Sequence, residues 1–249
     1  MNFHKCFFIS KKFIFITTFL IFNFSFLIPM KDFSQQTGMY FKVEVRKHVT
    51  LETNFLLYLP EGYDTIKQKW PLLLFLHGAG ETGDMLEFVK KNGPPKMIEQ
   101  GYKFPFIVIS PQCPDGQSWS VDVLDMLLNE MIRRYRVDIN RIYVTGLSMG
   151  GTATWNLAIA YPERFAAIVP ICGRTDPEKA DRIKDLPVWV FHGAKDDIVS
   201  PEQSEKMVNM LKSLGSPVKF TLYPDADHDS WTQAYNSPEL WEWMVEQHR

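Results

Sequence analysis

Ser148 stands in the run RIYVTGLSMGG (residues 141–151), with Gly146 two places before it and Gly150 two places after. Strand-like residues lead into the first glycine and a helical pattern leaves the second. A structural turn has a use for glycine but none for the hydroxyl. A serine between glycines at a strand-to-helix turn is the arrangement that holds a hydroxyl clear of the backbone as a nucleophile. Serine attacks only when a base takes its proton. A histidine, and an acid to orient it, must therefore follow.

The chain has six histidines. His4 lies in an apolar leader, His48 in a charged hairpin, and His248 is penultimate. His77 and His192 each end an apolar run and precede glycine, the setting of a buried structural histidine. His228, in the polar stretch DADHDSW (225–231), is the expected base. The acid belongs between Ser148 and His228, in FHGAKDDIVSPEQ (191–203), where Asp196 is favoured and Asp197 is the alternative. A carboxylate there would fix the imidazole tautomer and stabilise its cation without taking the proton. The negative oxygen of a tetrahedral intermediate needs two donors. The N–H of Met149, directly after the serine, is one. Ala79 in HGAGETG (77–83), with Gly80 second, is expected to give the other.

These residues must be carried to one place. PLLLFL (71–76) and FIVIS (106–110) are solidly apolar, as strands covered on both faces are. Further strands are expected over 41–46, 54–59, 141–145, 165–171, 187–191 and 218–223, and helices over 123–135, 149–161, 201–214 and 238–247. Strands alternating with helices imply crossover units and a mainly parallel sheet, with an antiparallel pair at the amino end. Ligands bind at the carboxyl ends of such strands, where Ser148 falls.

LLLFLHGAGETG, SPQCPDGQSW, GLSMGG, VWVFHGAKDDIV and YPDADHDSW, in that order, resemble the single-domain serine hydrolases described as phospholipase/carboxylesterase-like or prolyl-oligopeptidase-like "predicted peptidases" of the α/β-hydrolase superfamily. The resemblance runs from about residue 40 to 249. It implies an eight-stranded, mainly parallel sheet flanked by helices, with Asp196 as the acid because it stands three places before Val199. It also implies that Cys113 and Cys172 follow strands three places apart, roughly 14 Å at about 4.8 Å per strand, too far for a disulfide. By the same analogy Gln112, Trp119 and Trp231 line the substrate pocket. About fifteen residues separate the strand ending near 171 from the next, too few for a large lid, and the chain holds no stretch for the propeller of prolyl oligopeptidases.

Composition closes off other classes. The chain is 45% hydrophobic and 22% charged, an ordinary globular balance. Residues 1–30 hold Lys5, Lys11 and Lys12, then an uncharged run from Phe13 to Ile28, which reads as a signal peptide or a membrane anchor and in either case as export. Without those three lysines, 24 of the 27 basic residues face 29 acids, a net of −5 that disfavours nucleic acid. The histidines show no paired spacing for a metal, and the chemistry calls for no metal or organic cofactor. The expected activity is hydrolysis of short-chain, acetyl or feruloyl esters, on small molecules or polysaccharide. A peptidase or acyltransferase using the same residues, or a non-catalytic binding protein, stays open.

One departure from the resemblance generates a test. Relatives usually carry glycine immediately before the histidine, and this chain has Asp227. The resemblance implies that this departure moves the activity optimum to higher pH. The pH–rate profile of Asp227→Gly is expected to shift to lower pH, and a profile unchanged from wild type contradicts this.

Overall fold

The computed structural model describes residues 36–45 and 49–249; the leader, with its signal-or-anchor reading, lies outside the described residues. Among the described residues, no helix is long and apolar enough to cross a membrane.

The first two strands, β1 (Thr37–Val45) and β2 (Val49–Tyr58), pair antiparallel as expected. Next come β3 (Trp70–Leu76), β4 (Ile107–Pro111), β5 (Val137–Leu147), β6 (Ala167–Ile171), β7 (Trp189–Gly193) and β8 (Lys219–Tyr223). They form one eight-stranded sheet in the order β1-β2-β4-β3-β5-β6-β7-β8. β2 joins β4 antiparallel, and every pairing beyond β4 is parallel.

The apolar runs explain this arrangement. In β3 every residue is buried, and the two-residue period of a strand sends Leu72, Leu74 and Leu76 to one face and Leu73 and Phe75 to the other. On the first face they belong to one core with α2 (Val121–Arg134), α3 (Met149–Ala160) and α4 (Glu202–Ser213), which contribute Leu128, Trp155 and Leu211. On the second they meet α1 (Gly93–Glu99), α5 (Trp231–Tyr235) and α6 (Pro238–Val245) through Ile98, Tyr235 and Trp241. Each fully buried leucine contributes about 2 kcal/mol. The connection from β6 to β7 carries only a 3₁₀ segment, Pro177–Ile183, so this connection supplies no large lid to the carboxyl edge. Cys113 follows β4 and Cys172 follows β6, three places apart in the sheet, and both thiols are free and buried.

Several elements depart from the sequence reading: β1 and β2 start at Thr37 and Val49 rather than at 41 and 54. α1 is hidden in the sequence, because Gly93-Pro94-Pro95 reads as a breaker; proline is tolerated in a first helical turn, where its missing N–H has no partner to lose. β5 starts at Val137 rather than Arg141, because Val137 pairs with Trp70 across a register shift despite the polar residues that follow it. The short α5 turns the chain immediately after His228.

His77, just beyond β3, is fully buried. Its Nε2 accepts the Cys113 N–H at 3.0 Å and its Nδ1–H donates to the Gly78 carbonyl at 2.6 Å. Its own carbonyl accepts the Trp119 indole N–H at 3.1 Å. It therefore ties the loops after β3 and β4 together, the part expected of a structural histidine. Burial pushes its pKa down to about 4, opposed by the hydrogen bond to Gly78. Below about pH 6.5 the unfolded chain binds a proton here that the native one refuses, so acidification favours unfolding. Between pH 7 and 5 this site should remove about 2 kcal/mol of stability. Urea unfolding should show a correspondingly flatter pH dependence in His77→Gln; identical slopes in the two proteins contradict it.

Candidate active site

Ser148 sits at the turn between β5 and α3 with φ 53° and ψ −114°, in the region that side chains avoid. Such a conformation costs on the order of 1–3 kcal/mol and persists only where the surroundings impose it. Here they do. The Ser148 N–H donates to the Ile171 carbonyl at 3.0 Å, and its carbonyl accepts the Thr152 N–H at 2.9 Å. The flanking glycines are required by contact: a Cβ on Gly146 would lie 2.7 Å from the Leu76 carbonyl oxygen, and one on Gly150 would collide with the same oxygen. The backbones of β3 and of the serine turn thus touch with no side chain between them.

The three residues expected to act together are brought together. His228 Nε2 lies 2.9 Å from Ser148 Oγ, and its Nδ1–H donates to Asp196 Oδ2 at 2.8 Å. Asp196 Oδ1 accepts the N–H groups of Ile198 and Val199, each at 2.9 Å. Asp197, the alternative acid, is exposed and takes no part. Asp196 is 5% exposed. Burial pushes its carboxyl up, but the Val199 N–H, the His228 imidazole and the Ile198 N–H together outweigh burial and hold it below the usual carboxylate range.

His192 supplies a partner that the sequence reading missed. Its Nε2–H is shared between the Val199 carbonyl at 2.8 Å and Asp196 Oδ2 at 3.1 Å, while Nδ1 accepts from Ser204 Oγ at 2.7 Å. It is buried and structural, as expected, and it also faces the acid. The signal was present in the spacing of four between His192 and Asp196. Burial lowers its pKa against the opposing pull of the Val199 carbonyl and Asp196, which keeps it a neutral donor.

Met149 is the first residue of α3 and Ala79 the first of a 3₁₀ turn, Ala79–Glu81, so neither N–H has a partner within its own element. The Gly78 N–H is already given to Glu81 Oε2 at 2.9 Å, and the Glu81 N–H to the Gly78 carbonyl. That leaves Ala79 and Gly80 as the donors of this loop.

A cleft of about 370 Å³ opens at Ser148, walled by Trp119, Met149, Thr152, Arg174, Ile198 and Val199. Trp119 lies on it as expected. Gln112 does not: it is buried, and its amide donates to the carbonyls of Glu81 and Met85, both at 3.0 Å, so it braces a loop instead of facing substrate. Trp231 is also absent from the cleft. Its ring stands edge-on to His228, 5.3 Å between centroids, and its indole N–H donates to Asn92 Oδ1 at 3.2 Å. Asp227 is exposed, with its carboxylate accepting the Asp229 N–H. Cys172, Asp196 and His228 bring three ligating atoms within 4.8 Å of one another. They suit a metal poorly, because burial pushes the Cys172 thiol up to about 12 and the other two are engaged with each other.

The sequence model of the dienelactone hydrolase family matches residues 114–239, just over half of the 249-residue chain. A bifunctional acetylxylan esterase/xylanase of Neocallimastix patriciarum is 25% identical over 142 residues, which cover 54% of this chain and 20% of that protein. Dipeptidyl-peptidase 5 of Porphyromonas gingivalis is 25% identical over 222 residues, 68% of this chain and 32% of that one. The chain thus spans a minor part of either protein. Among solved structures, a thermostable esterase superposes with a TM-score of 0.73 at 33% identity, covering 85% of this chain and 63% of its own. With its eight-stranded sheet, serine turn and family match, this chain belongs to the dienelactone hydrolase family of the α/β-hydrolase superfamily.

Proposed function

We propose that the protein is a serine carboxylesterase that works through an acyl-Ser148 intermediate. The observation that carries this reading is the unbroken run from Ser148 Oγ to His228 to Asp196, at 2.9 and 2.8 Å. As Ser148 Oγ attacks an ester carbonyl, His228 Nε2 takes its proton. The carbonyl oxygen becomes an anion, held by the N–H groups of Met149 and Ala79. The imidazolium then returns the proton to the departing alkoxide. Water then attacks the acyl carbon as the same nitrogen takes its proton; the bond from that carbon to Ser148 Oγ breaks, the imidazolium returns the proton to Oγ, and the acid departs. Asp196 stays ionised throughout, favoured by the N–H donors that lower its pKa. Every proton in this cycle moves on side chains of this protein, with no cofactor or metal.

Esters are preferred to amides because an alkoxide leaves more readily than an amine anion, and because the β6–β7 connection puts no lid over the cleft. Its volume suits a small acyl or alcohol group, with Trp119 and the 70%-exposed Ile198 as apolar walls. Short-chain, acetyl and feruloyl esters, free or linked to polysaccharide, are the proposed substrates, and the acetylxylan esterase relative supports that class. Similarity to a dipeptidyl-peptidase favours peptide cleavage as the second reading. Export is proposed from the basic-then-apolar pattern of residues 1–30.

On p-nitrophenyl acetate and a feruloyl ester, Ser148→Ala and His228→Ala should each lower kcat by roughly 10⁴-fold or more, and Asp196→Asn by about 10⁴-fold with KM little changed. Full turnover by Ser148→Ala would contradict the assignment. Cleavage of dipeptidyl anilides faster than any ester would move it to the peptidase reading.

A further inference from the structure

Glu81 is a buried carboxylate to which the proposed mechanism gives no part. It is 7% exposed, and both its oxygens are used. Oε2 accepts the Gly78 N–H at 2.9 Å and Oε1 accepts the Asn92 amide at 2.9 Å. Its main-chain oxygen is held by the Gln112 amide at 3.0 Å. Asn92 does not end the run. Its Oδ1 accepts the Trp231 indole N–H, and that ring packs edge-on against His228. Three hydrogen bonds, of 2.9, 2.9 and 3.2 Å, therefore connect the loop that offers Ala79 to the ring that backs the base. Glu81 also lies close to the nucleophile: a Cβ built on Gly78 would be 3.3 Å from Glu81 Oε2 and 3.6 Å from Ser148 Cβ.

A carboxylate beside a site where negative charge develops would oppose catalysis unless its position does something else. We propose that Glu81 is a positioning residue, which fixes the Gly78–Glu81 turn so that the Ala79 N–H is held toward the oxyanion, and braces His228 through Asn92 and Trp231. This rests on the serine-esterase reading. The donor pattern makes the demand specific. Gly78 and Asn92 both present N–H groups, so position 81 must accept twice. His77 Nδ1, 4.0 Å away, spends its proton on the Gly78 carbonyl and does not satisfy Glu81. Burial raises the Glu81 pKa, against the opposing effects of Asn92, the Gly78 N–H and Lys91.

Glutamine at position 81 has the same shape but one donor too many, facing either the Gly78 N–H or the Asn92 amide. The double variant Glu81→Gln/Asn92→Asp restores the pattern: the introduced glutamine accepts from Gly78 and donates to the introduced aspartate, which still accepts from Trp231. In the full chain with p-nitrophenyl acetate, Glu81→Gln should lose about 10- to 100-fold in kcat with KM within about threefold, the size of a misplaced oxyanion donor. The affinity of a boronic acid that forms a tetrahedral adduct on Ser148 should fall in parallel. The double variant should recover at least about tenfold of the lost kcat, because both buried donors regain acceptors. Trp231→Phe, which keeps an aromatic side chain beside His228 but loses the indole N–H, should lose about threefold to tenfold in kcat with KM little changed. Unchanged kcat in Glu81→Gln overturns the proposal. So does a loss that tracks melting temperature and KM and is not recovered in the double variant, because that is the mark of a loop staple only. Ser148→Ala in the same assay reports separately: turnover retained there overturns the esterase reading and this proposal with it, whereas turnover lost there beside an unaffected Glu81→Gln overturns this proposal alone.

Discussion

A buried carboxylate without partners would take up a proton or pull its surroundings open. Asp196 does neither, because four donors converge on it: two backbone N–H groups from the turn at Ile198 and Val199, the His228 ring and the His192 ring. Much of the site depends on this one constraint. The turn that supplies the backbone donors also begins the approach to α4, and Ser204 in that helix orients His192. His228 ties the loop after β8 to Asp196, beside the bond from the Lys195 N–H to the Ala226 carbonyl. Once Asp196 is charged and fixed, the imidazole has one tautomer, and its free nitrogen points at Ser148.

The second constraint is steric. Ser148 occupies a conformation that a side chain resists, and it is kept there by the sheet beneath it, where β3 and the serine turn approach too closely for a Cβ on either neighbouring glycine. The strain is local, while its support comes from the fully buried β3 and from α3, buried on most sides. Stability made in the core thus offsets strain at the carboxyl edge, where the chemistry is proposed. The loop after β3 and the loop after β8, which both approach Ser148, are far apart in sequence and are connected by the run from Glu81 through Asn92 to Trp231.

What was legible in the sequence has a physical pattern. Apolar runs mark buried strands because burial on both faces leaves no room for polar residues, and so the sheet and most of its helices could be read. Ser148 carries its own local signal in glycines demanded by backbone contact. Chain order points to His228, which the fold sets against Ser148. The choice between Asp196 and Asp197 could not be made from the residues alone, since neighbours in a loop differ only in which way they turn. Gln112 was misplaced for a similar reason: a polar residue at a strand end serves equally well to face a ligand or to brace a loop, and here it braces one. The partnership of Glu81 with Asn92 spans eleven positions without periodicity, so no window of sequence reveals it. α1 was hidden by prolines that are harmless only because they fall in its first turn.

The most direct test of the serine assignment is covalent. The full chain, folded and at neutral pH, would be treated with a fluorophosphonate and its peptides mapped by mass spectrometry. One adduct is expected, on Ser148, lost in His228→Ala and unaffected by a chelator. Absence of labelling in a folded protein, or an adduct on any residue but Ser148, would contradict it.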